Sequence, residues 1–205
     1  MVLASSTIIE DIVLMQKSGL ASLAIFYCDF KEDEKRGVRG LVSSMLVQLC
    51  HQSDAYCDIL SKLYSEHKDG SESPSNDTLI RCLMDLVRVP RQAPIFLIVD
   101  ALDECPNTPG LPSPREKLLS FLEHLIDAKF PNLRICATSR PEVDIKAILE
   151  PLTFRSVSLH DERGQQDDIE NYIKWVVNTH GGMRRWKLEQ KQQVIDVLVG
   201  KADGM

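Results

Sequence analysis

The chain has 205 residues, the length of one large domain or two small ones, with 43% apolar and 26% charged residues. That apolar share is enough to bury a core and excludes wholesale disorder, and ten glycines with ten prolines exclude a collagen-like or low-complexity chain. Lys and Arg number 24 against 30 Asp and Glu, and the resulting −6 argues against a general binder of nucleic acid or of anionic membrane.

In chain order, residues 3–16 carry Ile8, Ile9, Ile12 and Val13 at helical spacing, and Gly19 stops that helix. Residues 20–28 (LASLAIFYC) form a nearly continuous apolar run, the pattern of a strand buried on both faces. A polar stretch at 29–37 separates it from a helix on which Val38, Leu41, Val42, Met45, Leu46 and Leu49 share one face. A second helix is expected over 55–67 and a surface loop over 68–76. Ser75 or Asn76 then caps a helix whose apolar face is Leu79, Ile80, Leu83, Met84, Leu86 and Val87.

The run Ile95–Val99 is the clearest buried strand, and a proline-rich loop follows at 105–112. Ser113, Pro114 and Glu116 have the spacing of a helix start, with Ser at the cap, Pro in the first turn and Glu three residues on. Residues 133–138 read as a strand, 142–149 as a short helix and 154–159 as an edge strand of mixed polarity. Two amphipathic helices follow, one around Ile169–Val177 and one around Val194–Val199, with Gly181 and Gly182 between them. Strands alternating with helices predict an α/β fold, a parallel sheet covered on both faces, with ligands at the carboxyl ends of its strands.

The six cysteines are Cys28, Cys50, Cys57, Cys82, Cys105 and Cys136. A chain of this size needs no covalent staples, and free thiols are expected. Cys50, His51, Cys57 and His67 form a loose group whose spacing fits no zinc pattern. No basic stretch leading into an apolar one opens the chain, and the longest apolar run is far too short to span a membrane. A cytoplasmic protein with no membrane partner is expected. Residues 182–191 (GMRRWKLEQK) gather four cations around Trp186, read here as a solvated helix start rather than a nucleic-acid contact.

The chemistry concentrates after two strands. Ile95–Val99 runs directly into Asp100, Ala101, Leu102, Asp103 and Glu104, three carboxylates within five residues. Such a cluster at a buried strand end suits a bound Mg²⁺, with a further acid to orient or deprotonate an attacking water. The strand at 133–138 ends in Thr138, Ser139 and Arg140, and the guanidinium can read a terminal phosphate or pair with Asp100 or Asp103 across the strands.

The runs PIFLIVDALDEC (94–105) and LRICATSRPE (133–142) together resemble the NACHT family of STAND-type P-loop NTPases, above all the NACHT regions of fungal NLR-like, nephrocystin-3-like proteins. FYCDFKEDEKRGVRGLVSSMLVQL (26–49) resembles that family's second strand and following helix, and QDDIENYIKWVV (166–177) the helix after its fifth strand. The resemblance implies a sheet ordered 5-1-4-3-2. It implies Asp100 as the Walker B Mg²⁺ ligand, Asp103 and Glu104 as the pair that positions the hydrolytic water, and Arg140, with Ser139 beside it, as the sensor of the γ-phosphate. Members are ATP/ADP-controlled signalling switches that self-oligomerise and carry effector and sensor domains on the same polypeptide.

The family's phosphate loop, GxxGxGK[ST], does not occur in these 205 residues. Similarity starts just after the place where that loop would end, so strand 1 is expected upstream of this chain. Residues 1–160 then read as a partial nucleotide-binding domain and 161–205 as the start of a helical extension. Without strand 1 the strand at 133–138 has an open edge. The isolated chain is expected to bind ATP weakly or not at all and to hydrolyse none, although the resemblance implies that the intact parent is an NTP hydrolase. The alternative is a non-catalytic interaction module of the same fold.

Overall fold

In a computed structural model of the chain the described residues are 2–29, 31, 37–108, 112–157 and 163–202. Most of the polar stretch at 29–37, part of the loop at 105–112 and the end of the expected edge strand, Ser158 and Leu159, lie outside them. The chain divides into two compact units, residues 1–154 and 155–205.

The first unit contains α1 (Val2–Lys17), β1 (Ser22–Tyr27), α2 (Val38–Cys50), α3 (Asp54–Glu66), α4 (Asn76–Val87), β2 (Ile95–Asp100), α5 (Pro114–Asp127), β3 (Leu133–Ala137) and α6 (Val143–Leu149). The three strands form one parallel sheet in the order β1-β2-β3, with Ser22 opposite Ile95 and Ile95 opposite Leu133. This is an α/β sheet flanked by helices, as the alternation of patterns predicts. The second unit is helical among the described residues: α7 (Arg163–Thr179) packs on α8 (Leu188–Ala202). No helix is long and apolar enough to cross a membrane among the described residues.

Alternation along the strands sorts the core into two layers. Ala24, Phe26, Ile95, Leu97, Val99 and Leu133 face the main core, where they meet Leu41, Met45 and Leu49 of α2, Leu83 and Leu86 of α4, and Leu118 and Leu122 of α5. Leu23 and Ile98 face the other way and pack with Ile12 of α1 in a much smaller cluster. One sheet face is therefore thickly covered and the other thinly, and Asp100, in step with Phe96 and Ile98, falls on the thin side.

The helix starts follow their sequence signals. Ser75 Oγ accepts from the Thr78 N–H at the head of α4. Ser113 and Glu116 make a full capping box at the head of α5, with Pro114 in the first turn.

The two sheet edges are treated differently. The Ser22 N–H donates to the Pro94 carbonyl and the Cys28 N–H to the Asp100 carbonyl, so the alternate residues Leu23 and Ile25 turn their backbone outward. There α2 supplies a side-chain substitute for a fourth strand. Gln52 accepts from the Leu23 N–H at 2.8 Å and donates to the Leu23 carbonyl at 2.6 Å. Gln48 does the same for Ile25 at 2.9 and 2.7 Å. No described strand borders the outer side of β3.

One expectation is corrected: residues 153–157 form no strand. Phe154 and Val157 are exposed, and the order implied by the resemblance would place that strand beside strand 1 rather than beside β3. A strand without a neighbour leaves its backbone to water and has nothing to hold it extended.

The glutamine clamp gives a direct expectation. In a Gln48→Ala/Gln52→Ala variant the chain loses the four neutral hydrogen bonds to the β1 edge together with those from Gln48 to Ser44 Oγ and from Gln52 to the Gln48 carbonyl, and we expect a stability loss of about 2 kcal/mol or more. Hydrogen exchange at the Leu23 and Ile25 amides should accelerate selectively. An equal change at the central amides of β2, or none at Leu23 and Ile25, would contradict the clamp.

Candidate functional site

The carboxyl ends of the three strands converge on Asp100. Asp100, the last residue of the central strand, is 7% exposed. Register explains its partner: Val99 lies opposite Ala137, so Thr138 stands beside Asp100. Thr138 Oγ1 donates to Asp100 Oδ1 at 2.5 Å and accepts from the Ala101 N–H at 3.0 Å. The Thr138 N–H donates to the Val99 carbonyl at 3.0 Å, and its carbonyl accepts from the Leu102 N–H at 2.9 Å. One threonine thus ties the end of β2 to the end of β3 through four hydrogen bonds.

Between Asp100 and the next acids the chain turns sharply. Ala101 sits in the left-handed region (φ 58°, ψ 50°), ahead of a 3₁₀ turn at Leu102–Glu104. A residue with a Cβ pays about 1 kcal/mol or more there, and such strain gathers where surrounding contacts over-determine a site. The turn buries Leu102 completely and brings the Asp103 side chain back toward β3.

Asp103 meets Arg140. The Arg140 N–H donates to Asp103 Oδ1 at 3.0 Å, and the Arg140 Nε lies 3.3 Å from Oδ2. The Asp103 side chain is 8% exposed and that of Arg140 is 74% exposed, so the acid is held inside while the guanidinium reaches into solvent. Of the pairings open to Arg140 from spacing, the ion pair with Asp103 is the one present. Glu104 is half-buried at the end of the same turn. The Ser139 hydroxyl donates to the Arg140 carbonyl at 2.7 Å and serves the loop backbone.

The site also contains a cation that sequence reasoning missed. Arg115, in the first turn of α5, is buried. Its Nε donates to the Cys105 carbonyl at 2.9 Å, its Nη2 to the Asp103 carbonyl at 2.5 Å, and its Nη1 pairs with Asp144 Oδ2 at 3.3 Å. Asn107 Nδ2 donates to the same Asp144 oxygen at 3.0 Å. The guanidinium therefore pins the Leu102–Glu104 turn from below. A signal was there to read: an arginine in the first turn of a helix opposes the macrodipole and needs a compensating reason.

Thiols surround the acids without offering reactivity. Burial, with Cys105, Asp100, Asp103 and Glu104 nearby, pushes the Cys28 thiol up to about 12. Burial raises Cys105 to about 11, against a lowering by Arg115, and burial and Asp100 raise Cys136. All three stay protonated at neutral pH, when a nucleophile or a metal ligand must be a thiolate. No group of three or more His, Cys, Asp and Glu is placed to share a metal ion among the described residues. His67 Nδ1 lies 2.9 Å from the Leu63 carbonyl within its own helix. A concave surface of about 680 Å³ in the second unit is lined by Trp186 together with Gln190 and Val194 of α8.

Two substitutions test this construction. Thr138→Val keeps the shape but strands Asp100 Oδ1 and the Ala101 N–H, and should lower stability by about 1–3 kcal/mol, while Thr138→Ser should retain most of it. Equal melting of the two variants would contradict the bridge. Arg115→Lys cannot reach the Cys105 carbonyl, the Asp103 carbonyl and Asp144 together, and should destabilise by about 2 kcal/mol. A Lys variant that melts like the parent would show that the guanidinium geometry is immaterial.

The comparisons with known proteins bear on this span. No curated protein and no solved structure matches the chain. A family model described as nephrocystin 3, N-terminal, matches residues 2–140, which contain all three strands together with Asp100, Asp103, Glu104, Thr138, Ser139 and Arg140. The chain belongs to the nephrocystin 3 N-terminal family.

Proposed function

We propose that this chain is the Walker B and sensor part of a NACHT-type signalling NTPase, and that the strand-end crevice is where Mg²⁺ and the phosphates of ATP or ADP meet it. The observation that carries the reading is Asp100, a carboxylate buried at the carboxyl end of the central parallel strand and fixed there by Thr138. Parallel α/β sheets bind ligands at that end. Mg²⁺ prefers one or two carboxylates completed by phosphate oxygens and water, and a single rigid Asp held through Oδ1 fits that demand. Bound there with a triphosphate, the ion would draw charge from the phosphates at the bond that breaks.

The protein groups divide the remaining work. Arg140 extends into solvent from its pairing with Asp103, so a terminal phosphate competes with Asp103 for the guanidinium. When phosphate takes Arg140, Asp103 is released beside Glu104 and the two can orient water. Occupancy of the crevice is thereby converted into a rearrangement of the Leu102–Glu104 turn, the kind of change a nucleotide switch passes on to self-assembly and to effector domains of its parent. The cytoplasm, where ATP is held at high concentration, is the compartment this reading requires.

A second reading, a non-catalytic interaction module of the same fold, draws support from Arg115 and Arg140, which tie the Asp103 turn into the scaffold without any ligand. The phosphate loop separates the two. These 205 residues hold no GxxGxGK[ST], so calorimetry of this chain with MgATP should give no micromolar affinity and no heat of hydrolysis. Where an in-frame GxxGxGK[ST] segment is encoded upstream of Met1, the polypeptide that includes it should bind MgATP and lose that binding in Asp100→Asn, and its absence favours the interaction module. If the extended polypeptide ignores MgATP, or the Asn variant binds it equally well, the interaction module is the better account.

A further inference from the structure

Three hydroxyls of the chain precede a proline, on Ser73, Thr108 and Ser113. Ser113 is 2% exposed, and its oxygen is engaged at the head of α5. Ser73 is exposed, on the polar loop that leads into α4, and an arginine already holds it. Arg39, the second residue of α2, reaches this loop with both ends of its fork. Its Nη2 donates to Ser73 Oγ at 2.7 Å, and its Nη1 donates to the Pro74 carbonyl at 2.8 Å and to Asn76 Oδ1 at 3.1 Å. Among the described residues, Ser73 is the one of the three whose hydroxyl meets a guanidinium.

The arrangement is unbalanced in charge. Arg39 lies in the first turn of α2, the positive end of the helix, where a cation is disfavoured. Its three acceptors among the described residues are all neutral. A planar guanidinium with parallel donors suits a phosphate better than separate neutral oxygens, and a phosphoryl group on Ser73 would stand one bond from the oxygen that Arg39 already touches. Pro74 restricts Ser73 to extended backbone, and residues 73–75 lie outside any helix or turn.

We propose that Ser73 is a phosphorylation site for a proline-directed protein kinase and that Arg39 is the receptor for the phosphoryl group. The Ser73 oxygen attacks the γ-phosphorus of the kinase's MgATP, and the new O–P bond forms. The bond from that phosphorus to the β,γ-bridging oxygen breaks and ADP leaves, while the hydroxyl proton passes to the kinase's catalytic carboxylate. One exposed hydrogen bond opens to release the hydroxyl. The product carries about two negative charges at neutral pH, two residues ahead of the Ser75 cap of α4. Charge-assisted bonds to Arg39 then fasten the head of α2 to the head of α4, two helices that pack against each other in the main core.

The full chain is treated with MgATP and a proline-directed kinase of the cyclin-dependent class, then digested with trypsin. Cleavage after Lys68 and Arg81 gives the peptide 69–81, whose fragments should carry one phosphoryl group on Ser73, and none in Pro74→Ala. The chain with phosphoserine genetically encoded at position 73 is then compared with the unmodified chain. Its melting temperature should rise by about 2–4 °C, and hydrogen exchange at the Asn76 and Thr78 amides should slow. Both effects should vanish in Arg39→Gln, while Arg39→Lys, which keeps the charge without the fork, should retain part of them. No phosphoryl group on Ser73 after kinase treatment, a phosphoserine that leaves melting unchanged or lowers it, or an equal rise in Arg39→Gln would overturn the proposal.

Discussion

A carboxylate buried at the end of a central strand requires a donor, and the organisation of this protein's strand ends follows from how Thr138 meets that requirement. The hydroxyl engages Asp100 and the Ala101 N–H at once, while the Thr138 backbone continues the β2–β3 ladder past its last regular residue. With Asp100 so fixed, Ala101 can be held in a backbone conformation that a Cβ disfavours, and the chain folds back into the turn that carries Asp103 and Glu104. Arg115 from below and Arg140 from above then secure that turn. Removing the hydroxyl would loosen each later step in the series.

Charge has a different meaning here from the one the acidic cluster first suggests. Three carboxylates in five residues invite a cation, and for Asp103 the protein supplies its own in Arg140. Asp100 is left as a buried acid that accepts from a neutral hydroxyl. The site is thus divided into a structural ion pair and a separate buried carboxylate, which is the division of labour the proposed nucleotide site requires.

Much of the fold was legible because single physical signals dominated it. Ile95–Val99 reads as a buried strand because nothing polar interrupts it, and the spacing of Ser113, Pro114 and Glu116 specifies a helix start that the capping box realises. Asp100, Asp103 and Arg140 were legible as a group because parallel strands bring their carboxyl ends together. Elements whose reasons lie across the fold were not. Gln48 and Gln52 look like ordinary helix residues until β1 is seen to have no described strand on its outer side. Thr138 gains its role only through register, and Arg115 only because the turn after β2 passes beneath the head of α5. The expected strand at 154–159 fails over 153–157 for the converse reason: its local pattern was adequate, but no described strand stands beside it.

The central claim is that Asp100 and its neighbours form the metal-phosphate end of a nucleotide site, and paramagnetic broadening by Mn²⁺–ATP tests it most directly because it registers even weak binding. With the isolated chain at millimolar nucleotide, the amides of Ala101, Asp103, Ser139 and Arg140 should broaden first, and Asp100→Asn should abolish that selectivity. Broadening spread evenly over the surface acids, none at these four amides, or a pattern that Asp100→Asn leaves unchanged would contradict the account.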